Sequence, residues 1–123
     1  MRNKVLVVDD NEKNRMLEKD LLEVAGFVVL EAENAATGVA IARKELPDII
    51  ILDVRLPDML GTDAALLLRK GKDTKDIPIV FVTASVMADG MDKIRAIANV
   101  GFISKPIDTR TFADMIFALM QGT

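Results

Sequence analysis

Residues 48–53 read Asp-Ile-Ile-Ile-Leu-Asp, an unbroken apolar run of mostly β-branched side chains closed at both ends by an acid. Such a run offers no polar side to water. It predicts a strand covered on both faces, the situation of a parallel sheet rather than a half-exposed antiparallel one. The pattern recurs upstream as Val5-Leu6-Val7-Val8, followed by Asp9-Asp10, and downstream as Ile79-Val80-Phe81-Val82, followed by Thr83. In all, apolar segments of strand length fall at 4–8, 27–31, 48–52, 78–82 and 101–104.

Helix-length segments separate them. In 11–25, Leu17, Leu21 and Val24 are spaced i, i+4, i+7, and Gly26 supplies a stop. Asn34 is placed to cap an Ala-rich helix over 35–46 that ends before Pro47. Residues 62–70 carry Ala64, Leu67 and Leu68 and close at Gly71. Residues 86–99 set Met87, Met91, Ile94 and Ala98 on one stripe, interrupted by Gly90 at a cost of about 1 kcal/mol relative to Ala. The last helix, 108–120, places Phe112, Met115, Ile116 and Leu119 on one face behind Asp108 as cap. Phe117 and Met120 lie off that stripe and are candidates for an interface.

Five β-α units in strict alternation predict an α/β fold with a doubly wound parallel sheet. Ligands of such sheets sit beyond the carboxyl ends of the strands. The chemically capable residues fall there. Asp9 and Asp10 follow the first strand, Asp53 the third, Thr83 the fourth and Lys105 the fifth.

Composition narrows the chemistry. The 123 residues contain no cysteine, which excludes disulfides, thiol catalysis and cysteine-held metals. They contain no histidine, which removes histidine bases, histidine–zinc sites and a phosphohistidine on this chain. The formal net charge is −3 with both signs interspersed, so no basic face is indicated for nucleic acid. The N-terminus is too short in apolar residues for a signal peptide or a membrane span, and the expected location is cytoplasmic.

Crowded carboxylates raise one another's pKa unless a cation relieves them. Mg²⁺ suits them, because it takes one or two carboxylates plus water and phosphate oxygens. A carboxylate beside such an ion can attack phosphorus and form an aspartyl phosphate. Asp53, alone on a central strand, is the better nucleophile, whereas Asp9 and Asp10 make the better metal-holding pair. Lys105 can clamp a transferring phosphoryl group, and Thr83 can donate a hydrogen bond to one of its oxygens.

At this point the residues resemble a known family, the receiver (REC) domains of two-component response regulators, similar to the chemotaxis response regulator. The matching stretches are Val7-Val8-Asp9-Asp10-Asn11, then Pro47 through Asp53 to Pro57-Asp58 and Gly61, then Pro78 through Thr83-Ala84-Ser85, and Gly101-Phe102 to Lys105-Pro106. The resemblance covers essentially the whole chain, read as one receiver domain over 1–123. It implies a flavodoxin-like (βα)5 fold with strand order 2-1-3-4-5. It implies that Asp53 accepts a phosphoryl group from a sensor histidine kinase or histidine phosphotransfer protein. Asp10 would ligate Mg²⁺ directly, Asp9 through water, with Asp53 and the Arg55 backbone carbonyl as further ligands. Lys105 would pair with Asp53 and then with the phosphoryl group. Thr83 and Phe102 would form the switch, and the bond before Pro106 would be cis. The output would be an altered protein-binding surface for an unknown downstream protein. The expected state is a monomer, or a weak dimer through the face between the fourth and fifth helices (86–99 and 108–120). Neither nucleic acid nor membrane is expected as a partner. The resemblance also implies that Arg55 and Ser85, two residues after Asp53 and Thr83, flank the site and influence how easily water reaches phosphorus.

Three other readings compete. An aspartyl-phosphate phosphohydrolase would want a second acid two residues after its first-strand nucleophile, where this chain has Asn11. A flavin carrier would want a hydroxyl- or glycine-rich loop in place of Asp9-Asp10 and an aromatic pair for the ring, yet the chain has no Trp or Tyr. A degenerate receiver would bind partners without phosphorylation, against which stands the intact set of acids and lysine.

Overall fold

The computed structural model describes residues 3–83, 97 and 100–121. Five strands, β1 (Lys4–Val8), β2 (Val28–Ala32), β3 (Ile49–Asp53), β4 (Ile79–Thr83) and β5 (Val100–Ser104), pair in parallel in the order β2-β1-β3-β4-β5. The described helices are α1 (Glu12–Val24), α2 (Ala35–Glu45), α3 (Gly61–Lys70) and α4 (Phe112–Met120). Apart from Ile97, the helix expected over 86–99, with Met87, Gly90 and Met91, lies outside the described residues, as does Ser85. Among the described residues, no helix is long and apolar enough to cross a membrane.

The sheet divides the core in two, as continuous apolar strands require. Leu6, Val8, Ile50, Leu52, Ile79 and Phe81 pack with Val39, Ala42, Ala64 and Leu68 of α2 and α3. Val5, Val7, Ile49, Ile51, Val80 and Val82 pack on the other face with Leu22, Phe112 and Ile116 of α1 and α4. Each large apolar side chain fully withdrawn from water contributes roughly 1.5–3 kcal/mol.

Strands β2, β3 and β4 begin and end one residue later than the apolar runs suggest, so Asp53 and Thr83 are the last residues of their strands rather than the first beyond them. Burial sets the apolar run; pairing sets the strand. Asp53 stays in register with Val82, and Thr83 with Ser104.

Helix α1 departs furthest from expectation. Its buried face is Arg15, Glu18 and Leu22, while Leu17 is exposed and Val24 is 90% exposed. Only Leu21 of the expected stripe packs against the core. Leu67 of α3 is likewise exposed beside the buried Ala64, Ala65 and Leu68. The last helix starts four residues later than expected, with Thr111 at its N-cap position and no side-chain capping bond. Asp108 instead closes the preceding turn, its carboxylate accepting from the Arg110 N–H at 2.9 Å and its carbonyl from Phe112 at 3.0 Å. Phe117 is exposed, and Met120 is partly buried against the α1/α4 side of the core.

Asn34 does cap α2, accepting from the Thr37 N–H at 2.8 Å. A second cap comes from outside the helix. The Asp58 carboxylate accepts from the Ala35 and Ala36 N–H groups, both at 2.9 Å, and those bonds hold its pKa below the usual carboxylate range. This ties the loop after β3 to the start of α2. Asp58→Ala is expected to lower the urea midpoint of unfolding. A depressed folded pKa means that the contribution is present above about pH 3.8 and is lost as pH falls through the lower folded value. The gap between wild type and variant therefore closes in strong acid; a gap constant down to pH 2 argues against this role.

Candidate functional site

The carboxyl ends of β1, β3 and β5 converge on one cluster. At β1, the Asp9 N–H donates to the Ala32 carbonyl at 3.1 Å and the buried Arg15 donates to the Asp9 carbonyl at 2.8 Å. Arg15 is itself held by Glu31 at 3.3 Å and Glu33 at 3.5 Å. The Asp9 backbone is thus fixed from two sides before its side chain does anything.

The Asp9 carboxylate, 2% exposed as a residue, accepts from the Asn11 N–H at 2.9 Å and from Lys105 Nζ at 3.3 Å. Burial pushes its pKa up, and the Asn11 N–H and Lys105 only partly oppose this. Asn11 is occupied as well, accepting from the Asn14 N–H at 3.0 Å to cap α1.

Asp53 closes β3 on the adjacent strand. One carboxylate oxygen accepts from the Arg55 N–H at 3.1 Å, the other from Lys105 Nζ at 3.1 Å. Lys105 is aimed there by backbone pairing, since its N–H donates to the Thr83 carbonyl at 2.8 Å and extends the β4–β5 ladder. The bond that follows, Lys105–Pro106, is cis. Burial by itself would lower the lysine's pKa, but the Asp53 and Asp9 carboxylates outweigh it and raise it. Lys105 is a cation throughout the physiological range.

Asp10 is exposed at the rim. Oxygens of Asp9, Asp10 and Asp53 lie within 4.8 Å of one another. Three hard donors at that spacing can share one small divalent cation, which a single ammonium at one side replaces only in part. Thr83 is buried at the end of β4, whereas Phe102 on β5 is 44% exposed. Arg55 is exposed and its segment forms an isolated bridge with Leu60.

Gly61 packs closely against the end of β3. Its N–H donates to the Val54 carbonyl at 2.7 Å, and a Cβ here would collide with the Asp53 carbonyl oxygen. Gly61→Ala is expected to cost about 1–3 kcal/mol by overpacking. It should also disturb the Asp53–Arg55 bond, visible as a shifted Arg55 amide resonance. An unshifted amide and unchanged stability count against this close approach.

The profile of the family described as "Response regulator receiver domain" matches residues 5–117. The chain belongs to that family. Among relatives of this receiver domain, the polar-differentiation response regulator DivK of Brucella anthropi is 33% identical over 116 residues, spanning 94% of each chain. The chemotaxis response regulator CheY4 of Vibrio cholerae has a structure matching at a TM-score of 0.90, with 28% identity over 97% of this chain and 99% of that one. The receiver domain of the sensor histidine kinase PA1611 of Pseudomonas aeruginosa, solved with magnesium in its active-site cleft, shares the fold at a TM-score of 0.89 and 22% identity, over 98% and 99% of the two chains.

Of the residues singled out in the sequence, Asp9, Asp10, Asp53 and Lys105 are brought together, with Thr83 bonded through its carbonyl to the lysine's backbone. Phe102 stands apart at the surface. The sequence reading missed Arg15 and Glu18. Their spacing with Leu22, i, i+3, i+7, was a signal, since it marks one helix face beside the acidic strand end.

Proposed function

We propose that this receiver domain is a phosphoacceptor switch. Asp53 takes a phosphoryl group from a phosphohistidine on a sensor histidine kinase or histidine phosphotransfer protein, in a Mg²⁺-dependent reaction. The observation that carries the proposal is the Asp53 carboxylate, held on one oxygen by the Arg55 N–H and on the other by Lys105, with two further acids beside it.

The donor set fits Mg²⁺, being all oxygen and carrying more negative charge than Lys105 offsets. Asp10 would hold the ion directly and Asp9 through water, with Asp53 and the Arg55 carbonyl completing the protein's share. When bound, the ion neutralises charge on phosphoryl oxygens.

A carboxylate oxygen of Asp53 forms the new bond to phosphorus as the phosphorus–nitrogen bond of the donor breaks and its electron pair leaves with the imidazole. Lys105 passes from the carboxylate to a phosphoryl oxygen, so its charge follows the developing charge. The Thr83 hydroxyl donates to another phosphoryl oxygen. Phe102 turns inward behind it, and the altered surface is read by a downstream protein. In this reading the chain speeds its own phosphorylation and dephosphorylation and has no separate substrate. It works in the cytoplasm as one receiver unit over 1–123, without nucleic-acid or membrane partners. It is a monomer, or a weak dimer through the face between the helix expected over 86–99 and α4.

The test is a beryllofluoride titration with and without Mg²⁺, followed by mass, oligomeric state and NMR together. The expected result is stoichiometric uptake only with Mg²⁺, with shifted Thr83 and Phe102 resonances. No uptake at saturating Mg²⁺ rejects the switch and leaves a domain that binds partners without phosphorylation.

A further inference from the structure

Helix α3 buries Gly61, Thr62, Ala64, Ala65 and Leu68. At a rotation of about 100° per residue, Asp63, Leu66, Leu67 and Lys70 fall together on the opposite side. Leu66 is 44% exposed and Leu67 38%. Leu60, just before the helix, is 43% exposed. A single exposed leucine needs no explanation. Here the order of the side chains is specific. Asp63 stands three residues before Leu66, and Lys70 three residues after Leu67, so the stripe is symmetric in spacing and opposite in charge about its two central leucines.

Among the described residues, neither Asp63 nor Lys70 forms an ion pair. Each suits the end of the helix dipole it occupies, the acid in the first turn and the base in the last. That preference accounts for the two charges but not for the leucines between them. A polyanion laid on this side would meet Lys70 at one end and be repelled by Asp63 at the other. The surface that complements both ends is the same stripe turned end for end. Helix α2 packs beside α3, and up to its last turn it exposes only Ala36, Thr37 and Ala40, small side chains that leave room for a helix laid along α3.

We propose that α3 is a self-association surface on which a second copy of this chain packs antiparallel. Leu66 and Leu67 of the two copies meet at the two-fold axis, and Asp63 of each faces Lys70 of the other. The contact is isologous, and the two helix dipoles oppose one another. The leucines supply the attraction, whereas the exposed ion pairs set the register and add little strength. Three leucines a side fall well short of the roughly 800 Å² per partner of a standard interface, so the dimer is weak and forms only in concentrated protein. It is separate from the face between the helix expected over 86–99 and α4, and it does not depend on phosphorylation of Asp53.

Sedimentation velocity on the unphosphorylated chain, from roughly 10 μM to 1 mM, covers the range in which so small a contact is populated. The wild type should pass from monomer towards dimer as concentration rises. The double variant Leu66→Gln/Leu67→Gln changes only exposed positions to a residue of similar helix propensity, and it should remain monomeric throughout. Lys70→Glu sets acid against acid twice across the axis, and Asp63→Lys sets base against base twice. Each variant alone should associate about fivefold more weakly than wild type. An equimolar mixture of these two variants restores both ion pairs in a heterodimer, so it should associate more strongly than either alone. Phe117→Ser, on the face of α4, should leave the association as it is. A wild type that stays monomeric at the highest concentration overturns the proposal. So does undiminished association of the leucine double variant, a mixture no stronger than its separate components, or association lost in Phe117→Ser.

Discussion

Asp53→Asn should reduce phosphoryl incorporation to background. Wild-type protein incubated with Mg²⁺ and phosphoramidate should gain the mass of one phosphoryl group, in a linkage that hydroxylamine cleaves. The amide keeps the size of the carboxylate and can still accept from the Arg55 N–H, so the fold around it should survive. It cannot supply the anionic oxygen that attacks phosphorus, and it withdraws the charge that holds Lys105 at 3.1 Å. Asp10→Asn is the informative contrast. It removes one exposed charge of the acid cluster but leaves Asp53, so labelling should return at higher Mg²⁺ concentration. Equal labelling of wild type and Asp53→Asn would show that the acceptor is elsewhere.

The second large effect belongs to Glu18. Burial, with Asp9 and Asp53 outweighing Lys105, pushes its carboxyl from the usual 4.5 to about 8. The folded protein then keeps a proton that the unfolded chain releases between those values. Where the native state binds more protons, stability falls as pH rises. The metal-free protein should therefore lose stability from about pH 5 to pH 8 and level off above, the total being on the order of 4 kcal/mol. Glu18→Leu removes the titrating group and fills the same apolar surroundings. It should be the more stable protein at pH 8, with a flatter profile through that window. Urea unfolding in EDTA across pH 5–9 measures both curves. Parallel profiles would mean that Glu18 already holds a charge in the native state.

The contrast between these two residues shows what the sequence makes legible. Asp53 could be read because it ends an unbroken apolar strand, and the ends of parallel strands are where the chain can place chemistry. Lys105 was legible for the same reason, at the end of the last strand. The interior of α1 was not. Helical periodicity ranks apolar residues, so Leu17 and Val24 read as core, whereas the structure buries Arg15 and Glu18. Arg15 is buried because the Asp9 carbonyl and two glutamates satisfy it, and those partners lie 6, 16 and 18 residues away. No local pattern encodes such partnerships. Asp108 failed in another way. It has the chemistry of a cap and does cap a turn, but the turn precedes the helix rather than belonging to it. Asp58 stands shortly before α3 in the chain, yet the helix it caps is α2.

The strand order has a consequence for how firmly each part of the site is anchored in time. β3 is flanked by β1 and β4, whereas β5 is an edge with one neighbour. Amide protons of Ile50, Ile51 and Leu52 should exchange with deuterium only through global unfolding, and those of β5 through cheaper local opening. Asp53 on β3 is therefore expected to sit on a slower-exchanging segment than Phe102 on β5 and Lys105 just beyond it. The two sides of the acid cluster should thus differ in how readily their backbone opens, the β5 side being the looser of the two.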